Sequence, residues 1–513
     1  MFIDLPRRRL LALLVLAAVL MVLSSYLVVL LFAWLCVYLP YLLITTEETP
    51  SFLTIALEFG GIVMAGTMLW SLIPRRDNFK PPGPAIDKDS HPKLFAELEY
   101  IAAALDEPLP DEVFLITHAN AFVTDRGGVL GFGSRRVLGI GLPLVAVMTL
   151  AEFRSVLAHE FAHYYGGDTR LGPWVYKTRM AMVRTIQNMA SVGNWMRVAI
   201  LQLLHRLVLI LLQGYWTIFF RATQFVSRRQ EYRADELACY ITAPDIVISG
   251  LKKVHAANAA FGSYWTFDVN PFLNMGYRPP IAEGFAMFLQ SPEVAKQVEE
   301  LVQKELNESK TSAYDSHPLL RDRIAAASRL SIKNQDCPPG LATDLFGNLW
   351  EEEQRLLSWQ NDPAKVNALK PLHWQNLFSV LPQIWAQIIK ENSQFLGEYT
   401  TESLADIVSN LRDIGSRIPD PKGMLLTPEQ RTGRAAELFG TALALALSNA
   451  GWLLHVQPGE RYFDVEGARV SARELMGSLA AKKITRDEWV GRCHQLKIYG
   501  MRLAGAKTES ATN

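Results

Sequence analysis

The chain has 513 residues with 51 basic and 51 acidic side chains, so no net charge draws it to nucleic acid. Half of the residues are hydrophobic and 20% are charged, the balance of a membrane protein with a sizeable soluble part, and the length calls for two or three domains. Cys36, Cys239, Cys337 and Cys493 stand far apart with no C-x-x-C spacing, which excludes a disulfide framework and a structural zinc site and fits free thiols in a reducing compartment.

Arg7-Arg8-Arg9 precedes an apolar run over residues 10–44, far longer than the core of a cleaved signal peptide. A second run covers 52–73 and ends at Pro74-Arg75-Arg76. Each is long enough for a bilayer, which takes about 20 residues, so residues 1–80 read as an anchor of two transmembrane helices. The loop at 45–49 is acidic and both outer flanks are arginine-rich. The positive-inside rule then places the flanks, and all that follows Arg76, in the cytoplasm.

Beyond a Pro-rich linker at 80–84, residues 92–105 have the pattern of an amphipathic helix. Short β-like pieces follow at 112–116, 121–124, 129–132 and 137–140. They predict a small sheet, whose edge can hold a substrate backbone by strand addition, and Asn120-Ala121-Phe122 is the candidate segment. A plain turn into a strand explains those three residues equally well.

The segment 149–168 carries His159-Glu160-Phe161-Ala162-His163. Thr149 and Glu152 form a capping box, an apolar face recurs at helical spacing, and Gly166-Gly167 stops the run. On such a helix, residues four apart stand one above the other, so His159 and His163 can aim both imidazoles at one zinc ion. Glu160 is rotated off that pair yet near enough to act as general base. The competing reading is a core helix that happens to spell a motif.

Residues 171–195 carry Lys177, Arg179 and Arg184 and make a poor membrane span, whereas 198–220 are strongly apolar. The expected element at 198–220 is one membrane-associated helix that packs on or dips into the bilayer beside the site. Residues 227–239 then form a charged helix with Glu231 and Asp235 four apart on one face. Glu231 completes a His2Glu zinc set and Asp235 orients a ligand histidine from behind. Taken alone, E-x-x-x-D is a solvated helix face with arginine partners. The upstream motif is what gives it another meaning.

HEFAH, then SRRQEYRAD, then Ser316-His317-Pro318-Leu319-Leu320-Arg321-Asp322-Arg323-Ile324 resemble, in order, the signature of the HtpX and CaaX prenyl protease family of membrane zinc metalloendopeptidases. The resemblance covers about residues 92–330. It implies one zinc per chain held by His159, His163 and Glu231, with Glu160 as general base and Asp235 behind the ligands. It also implies His317 as a hydrogen-bond donor to the oxyanion, and matches Asn120-Ala121-Phe122 and Asp168 to family positions. Read without the family, His317 is a helix N-cap, with Pro318 at the first helical position. The chain departs from HtpX-like proteins in showing one convincing apolar run between the zinc motifs instead of two, and in its long C-terminal tail.

From about residue 336 the pattern is mostly helical, over 341–359, 374–395, 401–418 and 428–449. A hairpin spans 452–470, capping boxes start at Ser471 and Thr485, and 504–513 form a terminal tail. The expected architecture is mostly α with a small β-sheet. It comprises an N-terminal transmembrane hairpin (1–80), a zincin-like metalloprotease core (81–335) and a helical C-terminal extension (336–513) that interacts with a partner or gates substrate. The expected function is a membrane-anchored zinc metalloendopeptidase acting on protein or peptide substrates at the lipid bilayer, with its catalytic domain in the cytoplasm and a role in quality control or processing. The alternative is a non-catalytic scaffold that keeps the fold, against which the intact Glu160 argues.

Overall fold

The computed structural model describes residues 8–46, 48–73, 77–128, 133–164, 172–193, 199–308, 317–332, 335, 337–419 and 426–504. The chain is mostly helical with small sheets. It folds as two compact units, Met1–Ala259 with Glu299–Asn361, and Ala260–Val298 with Asp362–Asn513.

In the first unit, α1 (Arg8–Thr46) and α2 (Phe52–Leu72) are the two expected apolar helices. Proximity of the two backbones depends on small residues, since a Cβ at Gly61 would lie 1.9 Å from the carbonyl oxygen of Cys36. Two further helices pack on them, α6 (Gly172–Gly193) and α7 (Ala199–Ile241). Val29, Ala33 and Cys36 of α1, Met64, Ala65 and Met68 of α2, Met182 and Met189 of α6 and Leu212 of α7 form one core. The interval between the zinc motifs holds two helices, of which α7 and not α6 is long and apolar enough to cross a membrane, in keeping with the single apolar run expected there. On α6, Asn188 Nδ2 donates to Ser71 Oγ (2.9 Å) and Arg184 to the Ser71 carbonyl (3.3 Å). His205 of α7 is buried at 2.6 Å from the Met189 carbonyl, and Gly193 leaves the room its imidazole needs.

Among the described residues, three helices, at Val19–Thr46, Phe52–Leu72 and Ala199–Ile241, are long and apolar enough to cross a membrane. Helix α7 also joins two segments that the sequence separates, because the apolar 199–220 and the charged 227–239 are one uninterrupted helix of 43 residues. At 1.5 Å per residue it is roughly 64 Å long, about twice a hydrocarbon core.

A four-stranded sheet has the order β1-β2-β4-β3, with β1 at Ala85–Ile86, β2 at Glu112–Ile116, β3 at Ala121–Arg126 and β4 at Arg135–Gly141. Strands β2 and β4 run parallel, and β3 pairs antiparallel with β4 as an edge strand. The ring of Phe122 covers Gly139 across the strands, where a Cβ would come within 2.4 Å of it. Residues 129–132, expected as a strand, lie outside the described residues. Against the sheet lie α4 (Leu142–Val147) and α5 (Leu150–Ala162), and α3 (Pro92–Leu105) packs on α5. Buried Arg154 of α5 donates to Glu97 of α3 (3.0 Å from NH2) and stacks on Tyr100.

The second unit has an aromatic core. Trp374 is buried and donates to the Pro280 carbonyl (2.8 Å), and its ring packs close on Gly284. Trp489 is fully buried and donates to the Thr401 carbonyl (2.9 Å). The helix Pro428–Asn449 matches its expected bounds, whereas 401–418 breaks into a 3-10 turn and two short helices. The hairpin at 452–470 is a three-stranded antiparallel sheet, Leu453–Gln457, Glu460–Val465 and Ala468–Val470. A π-helical turn at Trp265–Val269 buries Asp268, which accepts from Arg461 at 3.0 Å.

Candidate metal centre

Helix α5 starts with the expected capping box: the Thr149 side chain accepts from the Glu152 amide, and Glu152 Oε2 accepts from the Thr149 amide at 2.8 Å. The same carboxylate receives Lys253 Nζ (2.7 Å) and Ser249 Oγ (2.6 Å) from α8 (Pro244–Tyr264), which fixes the helix start from a second direction. Burial opposes ionisation of Glu152, but these hydrogen bonds outweigh it and hold the carboxyl below its usual range. Buried Phe153, Leu157 and Phe161 anchor one face of α5 in the core. The opposite face presents His159 and, at the helix end, His163, whose rings lie 4.9 Å apart at nearly right angles.

From α7, Glu231 reaches the same point. His159 Nε2 is 3.4 Å from its Oε2, and His163 Nε2 is 3.6 Å from its Oε1. One ligand atom from each of His159, His163 and Glu231 lies within 4.8 Å of the others, a group that could hold a metal ion. Donors held tetrahedrally at about 2.0–2.1 Å from zinc stand roughly 3.4 Å apart, so the donor set fits that ion. Glu231 Oε2 is buried and receives no hydrogen bond, although His317 Nδ1 stands 3.0 Å away. A buried carboxylate oxygen without a hydrogen bond is costly, and the Arg323 guanidinium, 3.6 Å away, offsets that cost through its charge without hydrogen bonding to it.

The two histidines sit in opposite electrostatic surroundings. Burial works against a charged His159, but the adjacent carboxylates of Asp235 and Glu231 outweigh that and push its pKa up to about 10. Burial, followed by repulsion from His159, pushes His163 down to about 4. With zinc bound, both rings would serve as neutral ligands. Asp235, one turn after Glu231, sits 3.0 Å from His159 Nδ1, which leaves Nε2 turned towards Glu231.

Glu160 lies beside this group with its carboxyl pushed up to about 7, chiefly by burial and against the attraction of His159. The backbone amide of Val123 in β3 works against that rise. Ala121 is buried and Phe122 half-buried at the start of this edge strand, while Asn120 is exposed in the turn before it.

His317 is at the rim, 65% exposed in its side chain. It is not a helix cap, which corrects the N-cap reading: the helix after it is Leu320–Ala327, and Leu319 caps it. Proline disfavours helical geometry in the residue before it, so the first turn forms only beyond Pro318. Leu319 then provides the first carbonyl acceptor, to the Asp322 and Arg323 amides. Freed from the helix, His317 faces Glu231. Asp168 lies outside the described residues.

Arg323 on that helix is the residue that sequence reasoning missed. It is 8% exposed and grips Asp235 with two prongs, Nε to Oδ2 at 2.8 Å and NH2 to Oδ1 at 2.6 Å, while NH1 stands 3.6 Å from Glu231 Oε2. It was visible inside the string SHPLLRDRI, but nothing in its spacing separates it from Arg321, whose side chain is 44% exposed.

Residues 89–331 match the model of Peptidase family M48, the HtpX and CaaX protease family of zinc metalloproteases, so the resemblance drawn from the three motifs is borne out. No curated protein and no solved structure matches the chain.

Proposed function

We infer that this chain, whose residues 89–331 form an M48 peptidase domain, is a membrane-anchored zinc metalloendopeptidase that hydrolyses peptide bonds with Glu160 as general base. One observation carries the reading. Two imidazoles and a buried carboxylate oxygen lacking a hydrogen bond converge beside a second carboxyl, Glu160, that burial poises near neutrality.

His159, His163 and Glu231 would hold one zinc ion, which when bound polarises the scissile carbonyl and acidifies water. Glu160 takes the proton from the attacking water and returns it to the leaving amine. The open side of β3 receives the substrate backbone as an added strand, with Asn120, Ala121 and Phe122 at its start. His317, exposed at the rim, donates to the carbonyl oxygen as it gains charge. Asp235 keeps His159 in one ring orientation, and Arg323 keeps Asp235 in place. The arginine-rich flanks of α1 and α2 support a cytoplasmic catalytic face, with unfolded or membrane-associated proteins as substrates. We further propose an anchor at 1–80, a catalytic domain at 81–335 and a C-terminal domain at 336–513 that binds a partner or gates substrate.

The test is zinc content together with casein cleavage in detergent, for wild type and Glu160→Gln. Near-stoichiometric zinc in both is expected, with cleavage reduced by roughly 10²–10⁴ in the variant. Zinc-free wild type, or undiminished cleavage by the variant, would overturn the reading.

A further inference from the structure

Helix α7 carries both the membrane-length apolar segment and the third metal-binding residue, with no proline or glycine between residues 215 and 241 to bend it. Its apolar side chains Leu203, Leu207, Ile210 and Ile218 are all more than half exposed, the face expected towards lipid. Arg206, near the start of that stretch, is long enough to extend towards the adjacent headgroup layer. Residues 199–220 make roughly 33 Å of helix, enough for a hydrocarbon core of about 30 Å.

The boundary at the catalytic end is marked on two helices. Arg221 is exposed on α7, and Arg179 of α6 donates to Thr223 of α7 at 2.9 Å. Basic side chains favour that level of a bilayer. From Arg221 the helix continues straight to Glu231, roughly ten residues and 15 Å further. That distance exceeds the thickness of one headgroup layer, about 5–8 Å. The site is therefore held at a fixed height above the lipid by a rigid strut.

We propose that α7 acts as a ruler: in a polypeptide anchored in the same bilayer, the scissile bond lies at least about five residues beyond the end of the anchoring helix. An extended chain covers about 3.3–3.6 Å per residue, so roughly 15 Å needs four to five residues. The preferred substrate is then an unstructured juxtamembrane segment, and bonds closer to the bilayer are protected. This deepens the peptidase reading and rests on it.

The experiment reconstitutes the full chain in proteoliposomes with a single-helix reporter whose unstructured tail repeats one cleavable sequence at 2, 5, 10 and 20 residues from the helix end. The same tail, without its helix, is added free in solution. Mass spectrometry of the products is expected to place no cuts within the first four tethered residues and cuts from about the fifth onward, while the free tail is cut at every copy. Cuts in the tethered tail right up to the helix end would overturn the ruler and leave the peptidase reading standing. No cleavage of either tail would overturn the peptidase reading and the ruler with it. Because only the substrate is varied, folding of the enzyme does not enter the comparison.

Discussion

The metal-centre unit and the C-terminal unit bury polar groups in opposite ways. Beside α5, buried Glu231, Asp235 and Arg323 converge, and one carboxylate oxygen among them receives no hydrogen bond. In the second unit, buried Asp268 has Arg461 as its partner, the buried indole nitrogens of Trp374 and Trp489 reach carbonyls, and the rest is aromatic packing. A satisfied polar group in a core serves the fold. An unsatisfied one beside two imidazoles marks a place open to a ligand.

Three substitutions sharpen that contrast. The largest effect is expected from Trp489→Ala, which empties the core of the second unit and costs about 3–5 kcal/mol. Denaturant unfolding should show the loss while zinc stoichiometry of the folded fraction stays unchanged; a drop in zinc would mean that the two units are energetically one. Next comes Arg323→Met, which leaves Asp235 without its two-pronged partner. Zinc affinity, measured by competition with a chromogenic chelator, should fall roughly 10–100-fold, the usual scale for groups that orient metal ligands. Arg461→Met removes an equally direct arginine–carboxylate contact in the other unit and should leave that affinity unchanged. Equal behaviour of the two variants would erase the distinction between the regions.

The smallest effect concerns the start of α5. Since Glu152 is held below the usual carboxylate range when folded, the stability it contributes is present above the unfolded value of ~4.3 and is lost as pH falls through the lower folded value. Glu152→Gln should cost about 1–2 kcal/mol at pH 7 and flatten the decline of thermal stability on acidification below pH ~4.5. An unchanged acid limb would show that the network with Lys253 and Ser249 contributes nothing.

Local rules made much of this molecule legible in one dimension. The capping box at Thr149, the four-residue spacing of His159 and His163, the same spacing of Glu231 and Asp235, and the length of the apolar runs all follow from helix geometry within a few turns of chain. Long-range packing decided the rest. It packed α6 against the apolar helices α1, α2 and α7, and fused an apolar and a charged segment into α7. It also set the Val123 amide against Glu160, and drew Arg323 from a stretch far along the chain onto Asp235. Helix periodicity reports which residues share a face, because neighbours along a helix are fixed by 3.6 residues per turn. What that face meets depends on packing between segments far apart in sequence, and no spacing within one segment encodes it.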